Sequence, residues 1–174
     1  IEPEQFYYDC DRLGMIVFQD MGNNGHYSFW WDTALPTVGL KKRNDKKLHS
    51  DPVTRAAFLG AMEETVRALS NHPSICYWTI FNEGWGQFNS GKVTRELERL
   101  DSTRIIDSVS GWHDQGENAT PIKSLHTYYT PLRVPKDSRP VFLSEFGGYS
   151  MKINGHVFDE DTTFGYKKFD TQEK

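Results

Sequence analysis

Two glutamates stand where apolar runs stop. Ile75 to Phe81 ends in Asn82-Glu83, followed by Gly84-Trp85-Gly86, and Val141 to Ser144 ends in Glu145, followed by Phe146-Gly147-Gly148. Such runs, rich in β-branched and aromatic residues, read as buried strands. A carboxyl group at the C-terminal tip of each of two buried strands is what a barrel needs to aim both groups at one bound molecule. Paired carboxylates are the machinery of glycoside hydrolysis. A lone glutamate after a strand is more often a solvated loop residue or a charge at a helix N-terminus; the repeated pattern points to chemistry. The glycines that follow let the backbone turn sharply and approach a ligand. Asn82 adds an amide that can hydrogen-bond a sugar hydroxyl as the transition state develops.

The elements that would hold these glutamates follow strand-helix grammar. Glu4 to Leu13 places Phe6, Cys10 and Leu13 on one helical face and stops at Gly14. Met15 to Asp20 reads as a strand, followed by a long loop through Asn23-Asn24-Gly25-His26 and Trp30-Trp31 to Lys41-Lys42-Arg43. Ser50-Asp51-Pro52 starts a helix carrying Leu59, Met62, Val66 and Leu69 at helical spacing, and Pro73 ends it before the Glu83 strand. Val93, Leu97 and Leu100 mark a further helix; Arg104 to Val109, Ser124 to Tyr129 and Val141 to Glu145 are strand candidates. Alternating strands and helices predict an α/β fold with parallel strands.

The segment Asn71 to Gly86, with Ser144 to Gly148 downstream, resembles the catalytic TIM-barrel domain of glycoside hydrolase family 2, which includes β-galactosidases, β-glucuronidases and β-mannosidases. Cys10 to Asp20 is similar to the helix and third strand of that barrel, and His126-Thr127-Tyr128 to its sixth strand end. The resemblance implies a retaining β-glycosidase acting on a terminal β-linked sugar, with Glu83 as general acid/base and Glu145 as nucleophile. A retaining pair should lie about 5–5.5 Å apart. An intact barrel takes about 250 residues, and this chain has 174. The expectation is therefore a partial (β/α)8 barrel, strands three to seven with flanking helices, over 1–150, and a loop or C-terminal tail of the same domain over 151–174. Such a fragment is expected to lack sugar contacts from the other strands, to be of uncertain activity alone, and to self-associate through open strand edges or meet other domains of its parent.

The remaining site candidates are weighed against packing roles. Tyr128, with Tyr129 as competitor, is placed to hydrogen-bond the nucleophile; a core tyrosine with a satisfied hydroxyl is the alternative. Trp85 and Trp112 follow predicted strand ends and fall on the active-site face as sugar-stacking surfaces. Trp30 and Trp31 serve equally well as loop anchors, and Trp78, inside a strand, as packing. Asp20 and His126 are expected to bind sugar hydroxyls or steady the glutamates, as is Asp114 more weakly. His26 near Asp32, and His113, Asp114 and His126, invite a metal reading, yet no tight ligand motif is present, so neither a metal nor another cofactor is expected.

Other classes fit less well. A net charge of −4 and a pI near 5.9 disfavour nucleic-acid binding, and Lys41-Lys42-Arg43 with Lys46-Lys47 reads as a solvated charge run. No nucleotide fingerprint and no membrane-spanning apolar stretch occurs. Cys10 and Cys76 read as free buried thiols rather than a disulfide framework. The compartment stays open. The alternatives to an exo-acting enzyme are an endo-acting glycanase of a related barrel family and a non-catalytic carbohydrate-binding piece.

Overall fold

The computed structural model describes residues 1–22, 25, 27–35, 44–116 and 120–171. His26 and the Lys41-Lys42-Arg43 cluster lie outside the described residues.

Five strands form the partial barrel: β1 (Val17–Asp20), β2 (Ile75–Asn82), β3 (Ile105–Ser110), β4 (Lys123–Thr127) and β5 (Val141–Phe146). β1, β2 and β3 make one parallel sheet and β4 with β5 another. Hydroxyls bridge the two, Ser110 Oγ lying 3.4 Å from Ser124 Oγ and 3.3 Å from Ser144 Oγ. The interior is closed by rings: Phe18 of β1 stacks on Tyr77 at 4.5 Å, and Phe142 of β5 lies 5.6 Å from Phe18 and 5.4 Å from Tyr77. The sheets therefore curve until the fifth strand meets the first.

Helices α1 (Glu4–Leu13), α2 (Pro52–Leu69) and α3 (Ser90–Leu100) complete the strand-helix order. The predicted start of α2 is built by Asp51, whose carboxylate accepts the Thr54 N–H at 2.8 Å. Its buried residues are Phe58, Met62, Val66 and Leu69, with Leu59 at the margin of the core. They meet Ile80 and Phe81 of β2 and Phe88 in one apolar cluster, in which Phe58 stacks on Phe81 at 5.1 Å. Trp78 is fully buried and gives its indole N–H to Asp101 at 2.9 Å, which confirms it as a packing residue with a satisfied polar end.

Three details differ from expectation. The buried face of α1 carries Tyr7 and Cys10, while Phe6 and Leu13 are exposed. The helix is turned this way because the Tyr7 hydroxyl reaches Gln19 at 2.5 Å and Asp11 binds His72 at 2.7 Å and the Ser74 N–H at 2.9 Å. Cys76 is exposed although it lies in β2; both cysteines are free. Trp30 and Trp31 lie not in an irregular loop but in a π-helical turn, Phe29–Ala34, held by the Asp32 carboxylate accepting the Ser28 N–H at 2.7 Å. Beyond β5 the chain adds two short parallel strands, β6 (Tyr149–Met151) and β7 (Lys167–Phe169). Among the described residues no helix is long and apolar enough to cross a membrane.

Candidate active site

Strand register assembles the site. Asn82 of β2 pairs with Ser110 of β3, and the next amide, that of Glu83, donates to the Ser110 carbonyl at 2.9 Å. His126 of β4 is the direct ladder partner of Glu145 in β5, just past an irregularity between Leu125 and His126. Both glutamates thus leave the C-terminal ends of their strands toward one point. Glu83 has φ +52°, in the left-handed region, where a non-glycine residue stores roughly 1–3 kcal/mol of strain. The strain sits on the residue the sequence singles out.

One hydroxyl and one imidazole link the two carboxyl groups. Tyr128 Oη lies 2.5 Å from Glu145 Oε2 and 2.9 Å from Glu83 Oε1. The His126 side chain is wholly buried; its Nδ1 lies 3.1 Å from Glu83 Oε1 and its Nε2 lies 2.8 Å from Ser110 Oγ and 3.7 Å from Glu145 Oε1. The imidazole rests against the backbone of Gly111 (φ +82°), where a Cβ would fall 2.3 Å from the ring. Only glycine satisfies both that conformation and that approach. Burial, then the hydrogen bond to Glu145 and the charge of Glu83, push the Tyr128 hydroxyl well above its ordinary pKa, so it stays a donor at all working pH values.

Asp20, at the tip of β1, stands near the same centre. The residue keeps an open edge, but its carboxyl is held above the usual carboxylate range by desolvation and by Glu145, against a hydrogen bond to Thr79. Asn82 Oδ1 is buried and accepts no hydrogen bond from the described residues. Trp85 and Trp112 line a cavity of about 450 Å³ beside Glu83, together with Tyr128, Tyr129 and Tyr166. Trp30 and Trp31 are not among its lining residues, although Phe29 and Thr33 of their turn are.

Glu83, His126 and Glu145 each present a donor atom within 4.8 Å of one another, a set that could ligate a cation. Both ring nitrogens of His126 are already hydrogen-bonded, so a cation would have to take His126 from Ser110 or from Glu83. Asp114 is turned away from sugar binding: its carboxylate accepts from Arg139 at 2.9 and 2.8 Å, from Lys123 at 2.8 Å and from Thr120 at 2.7 Å. Burial opposes its ionisation, but these donors outweigh that and hold it far below the usual range. The sequence reading missed Ser110, which seats His126, and Tyr166, which enters from a stretch without periodicity. Ser110 closes the Asp107-Ser108-Val109-Ser110 strand end, and its small polar side chain was the available signal.

The family profile of the glycosyl hydrolases family 2 TIM barrel domain matches residues 2–162. The chain belongs to glycosyl hydrolase family 2. The chain is similar to a β-galactosidase of Klebsiella pneumoniae, 24% identical over 156 residues covering 82% of this chain and 14% of that protein. Human β-glucuronidase is 27% identical over 135 residues, 73% of this chain and 18% of that protein. A mannosylglycoprotein endo-β-mannosidase of Lilium longiflorum is 29% identical over 82 residues, 47% of this chain and 7% of that protein. The chain thus spans less than a fifth of the length of these relatives.

Proposed function

We propose that this chain carries the carboxylate pair of a retaining β-glycosidase, with Glu145 as nucleophile and Glu83 as general acid/base, acting on a terminal β-linked sugar. The observation that carries this is the close approach of the two carboxyl groups, whose facing oxygens come within 4.8 Å with the Tyr128 hydroxyl between them. Retaining enzymes keep the pair about 5–5.5 Å apart, and inverting ones about 6.5–9.5 Å to admit water.

In the first step a Glu145 oxygen attacks the anomeric carbon, the glycosidic C–O bond breaks, and the departing oxygen takes the proton of Glu83. In the second, Glu83 takes a proton from water as that water attacks the same carbon and frees Glu145. Tyr128 has one proton to give, and the shorter contact assigns it to Glu145. A protonated Glu83 can then donate to the tyrosine oxygen, whereas an ionised one would face its lone pairs; the bridge therefore favours the charge distribution that the first step needs. His126, accepting from Ser110 at Nε2, has Nδ1–H available to Glu83 once its proton has left. Asn82 Oδ1 is an acceptor for a sugar hydroxyl, Asp20 flanks the nucleophile, and Trp85 and Trp112 offer stacking faces. Residues 1–150 supply both glutamates and the groups bonded to them, and the following stretch belongs to the same domain, Tyr166 reaching the cavity beside Glu83.

Proton NMR of the first-formed product tests the mechanism. A β-configured hemiacetal ahead of mutarotation supports it; an α-configured one would require an inverting pair.

A further inference from the structure

Asp107 touches neither glutamate, yet it lies in the interior beneath them. It sits in β3, fully buried, with Thr79 of β2 as its ladder partner. Its Oδ2 accepts the Tyr77 hydroxyl at 2.9 Å, and its Oδ1 is buried with no hydrogen-bond partner among the described residues. A carboxylate stripped of water and left with one donor is costly, whereas a carboxylic acid is not. Desolvation accordingly raises the Asp107 carboxyl above the usual carboxylate range, against the hydroxyls of Ser124, Tyr77 and Ser110 and the charge of His126.

From Ser124 a row of hydroxyls leads to the carboxylate pair. Ser124 Oγ lies 2.5 Å from Ser144 Oγ, Ser144 Oγ 3.3 Å from Ser110 Oγ, and Ser110 Oγ 2.8 Å from His126 Nε2; the other ring nitrogen faces Glu83 at 3.1 Å. We propose that Asp107 is a positioning residue: it carries a proton on Oδ1, donates it in a hydrogen bond to Ser124, and so orients the row that His126 keeps its ring proton on Nδ1, opposite Glu83. The proposal rests on the assignment of Glu83 as the acid/base.

The direction of the row follows from counting donors. Burial, and then the charge of Asp107, push the Tyr77 hydroxyl far above its ordinary pKa, so it remains a donor to Oδ2 and the acid proton falls to Oδ1. Each serine has one proton to give. When Ser124 accepts from Asp107, its own proton goes to Ser144, that of Ser144 to Ser110 and that of Ser110 to Nε2, which leaves Nδ1 as the protonated nitrogen of a neutral ring. An ionised Asp107 would draw the Ser124 proton to itself. Ser144 would then donate to Ser124, Ser110 to Ser144, and Nε2 would hold the ring proton and donate to Ser110. Nδ1 would present a lone pair to Glu83 and give nothing to its charge once the acid proton has left. Hydrogen bonds aligned head to tail also polarise one another. Ser110 lies 3.4 Å from Ser124 directly, a shorter route that runs in the same sense, and Ser144 has a second acceptor in the Leu125 carbonyl at 3.4 Å.

The test is the His126 tautomer, read by long-range proton–nitrogen correlation NMR on the isotope-labelled whole chain, with the ring signals assigned from His126→Gln. The parent ring should be protonated at Nδ1. In Asp107→Asn an amide N–H replaces the acid proton and the carbonyl still accepts from Tyr77. That variant should keep the tautomer and form the ester of a 2-deoxy-2-fluoro glycoside within about threefold of the parent rate. Asp107→Leu should show a mixed or Nε2-protonated ring and form the ester on the order of tenfold more slowly. Should Asp107→Leu not fold, Ser124→Ala, which cuts the row at its start, is the second variant with the same expected change of tautomer. A parent ring protonated at Nε2, an Asp107→Asn chain that loses the parent tautomer, or an Asp107→Leu or Ser124→Ala chain of unchanged circular dichroism that keeps it would overturn the proposal. The tautomer is read without turnover, so its failure is distinguishable from failure of the Glu83 and Glu145 assignments, which covalent trapping at Glu145 reads separately.

Discussion

Removing the Tyr128 hydroxyl should slow attack on the sugar while leaving the fold intact. In Tyr128→Phe the ring keeps its neighbours Tyr166 and His126, but Glu145 loses its donor at 2.5 Å and Glu83 loses the hydroxyl oxygen 2.9 Å away. A hydrogen bond to a charged group is worth about 1.5–3 kcal/mol. The bare Coulomb repulsion of two carboxylates whose oxygens lie within 4.8 Å of each other is at least about 3.5 kcal/mol at an effective dielectric constant near 20. Glu145 is 44% exposed, so solvent screens much of that repulsion and the hydrogen-bond figure is the better guide. It corresponds to a loss of roughly 10- to 150-fold in the rate of the first chemical step. The assay is the rate of ester formation with an activated 2-deoxy-2-fluoro glycoside, followed by intact mass, with ground-state affinity measured by calorimetry. A variant that forms the ester within threefold of the parent rate would refute the bridging role. A loss confined to affinity would show that Tyr128 is a binding residue instead.

Three further outcomes are expected. Gly111→Ala should displace His126, whose ring would lie 2.3 Å from the new Cβ, and lower the trapping rate at least about tenfold, with about 1–3 kcal/mol of destabilisation visible in urea; an unchanged rate would remove His126 from the mechanism. Asp114→Asn breaks a half-buried clamp on Arg139, which is 7% exposed, and should cost about 3–5 kcal/mol in chemical denaturation. Because the Asp114 carboxyl is depressed in the folded state, its contribution is complete above the unfolded value near pH 3.9 and fades as the pH falls below it; the parent should lose stability there relative to Asp114→Asn, and parallel curves would contradict the linkage. Trp78→Phe should cost about 1–3 kcal/mol by leaving Asp101 with one fewer buried donor, against which a melting curve superimposable on the parent's would count.

The features legible in sequence are those whose physics is local. The Asn82-Glu83 and Ser144-Glu145 strand ends are visible because parallel strands buried on both faces read as continuous apolar runs that stop abruptly, and the Asp51 cap of α2 because capping is a short-range hydrogen bond. What could not be read depends on partners distant along the chain. The Asp114 clamp needs Arg139, 25 residues later. Tyr166 comes from a stretch with no periodicity and is fixed by Gly148, a contact no pattern announces. On α1, hydropathy favours Phe6 over Tyr7 for the buried face, whereas the deciding factor is that the Tyr7 hydroxyl finds Gln19. The sequence places His126 near the glutamates, but its support by Ser110 is a contact between strand tips that only the curvature of the sheet creates.

The central claim is that Glu145 is the nucleophile of a retaining pair. Its most direct test is intact-mass and peptide mapping after incubation with a panel of activated 2-deoxy-2-fluoro β-glycosides. A gain of one sugar mapped to Glu145, and absent in Glu145→Gln, is the predicted result. An adduct on another residue, or none with any sugar on a chain shown to be folded, would contradict it.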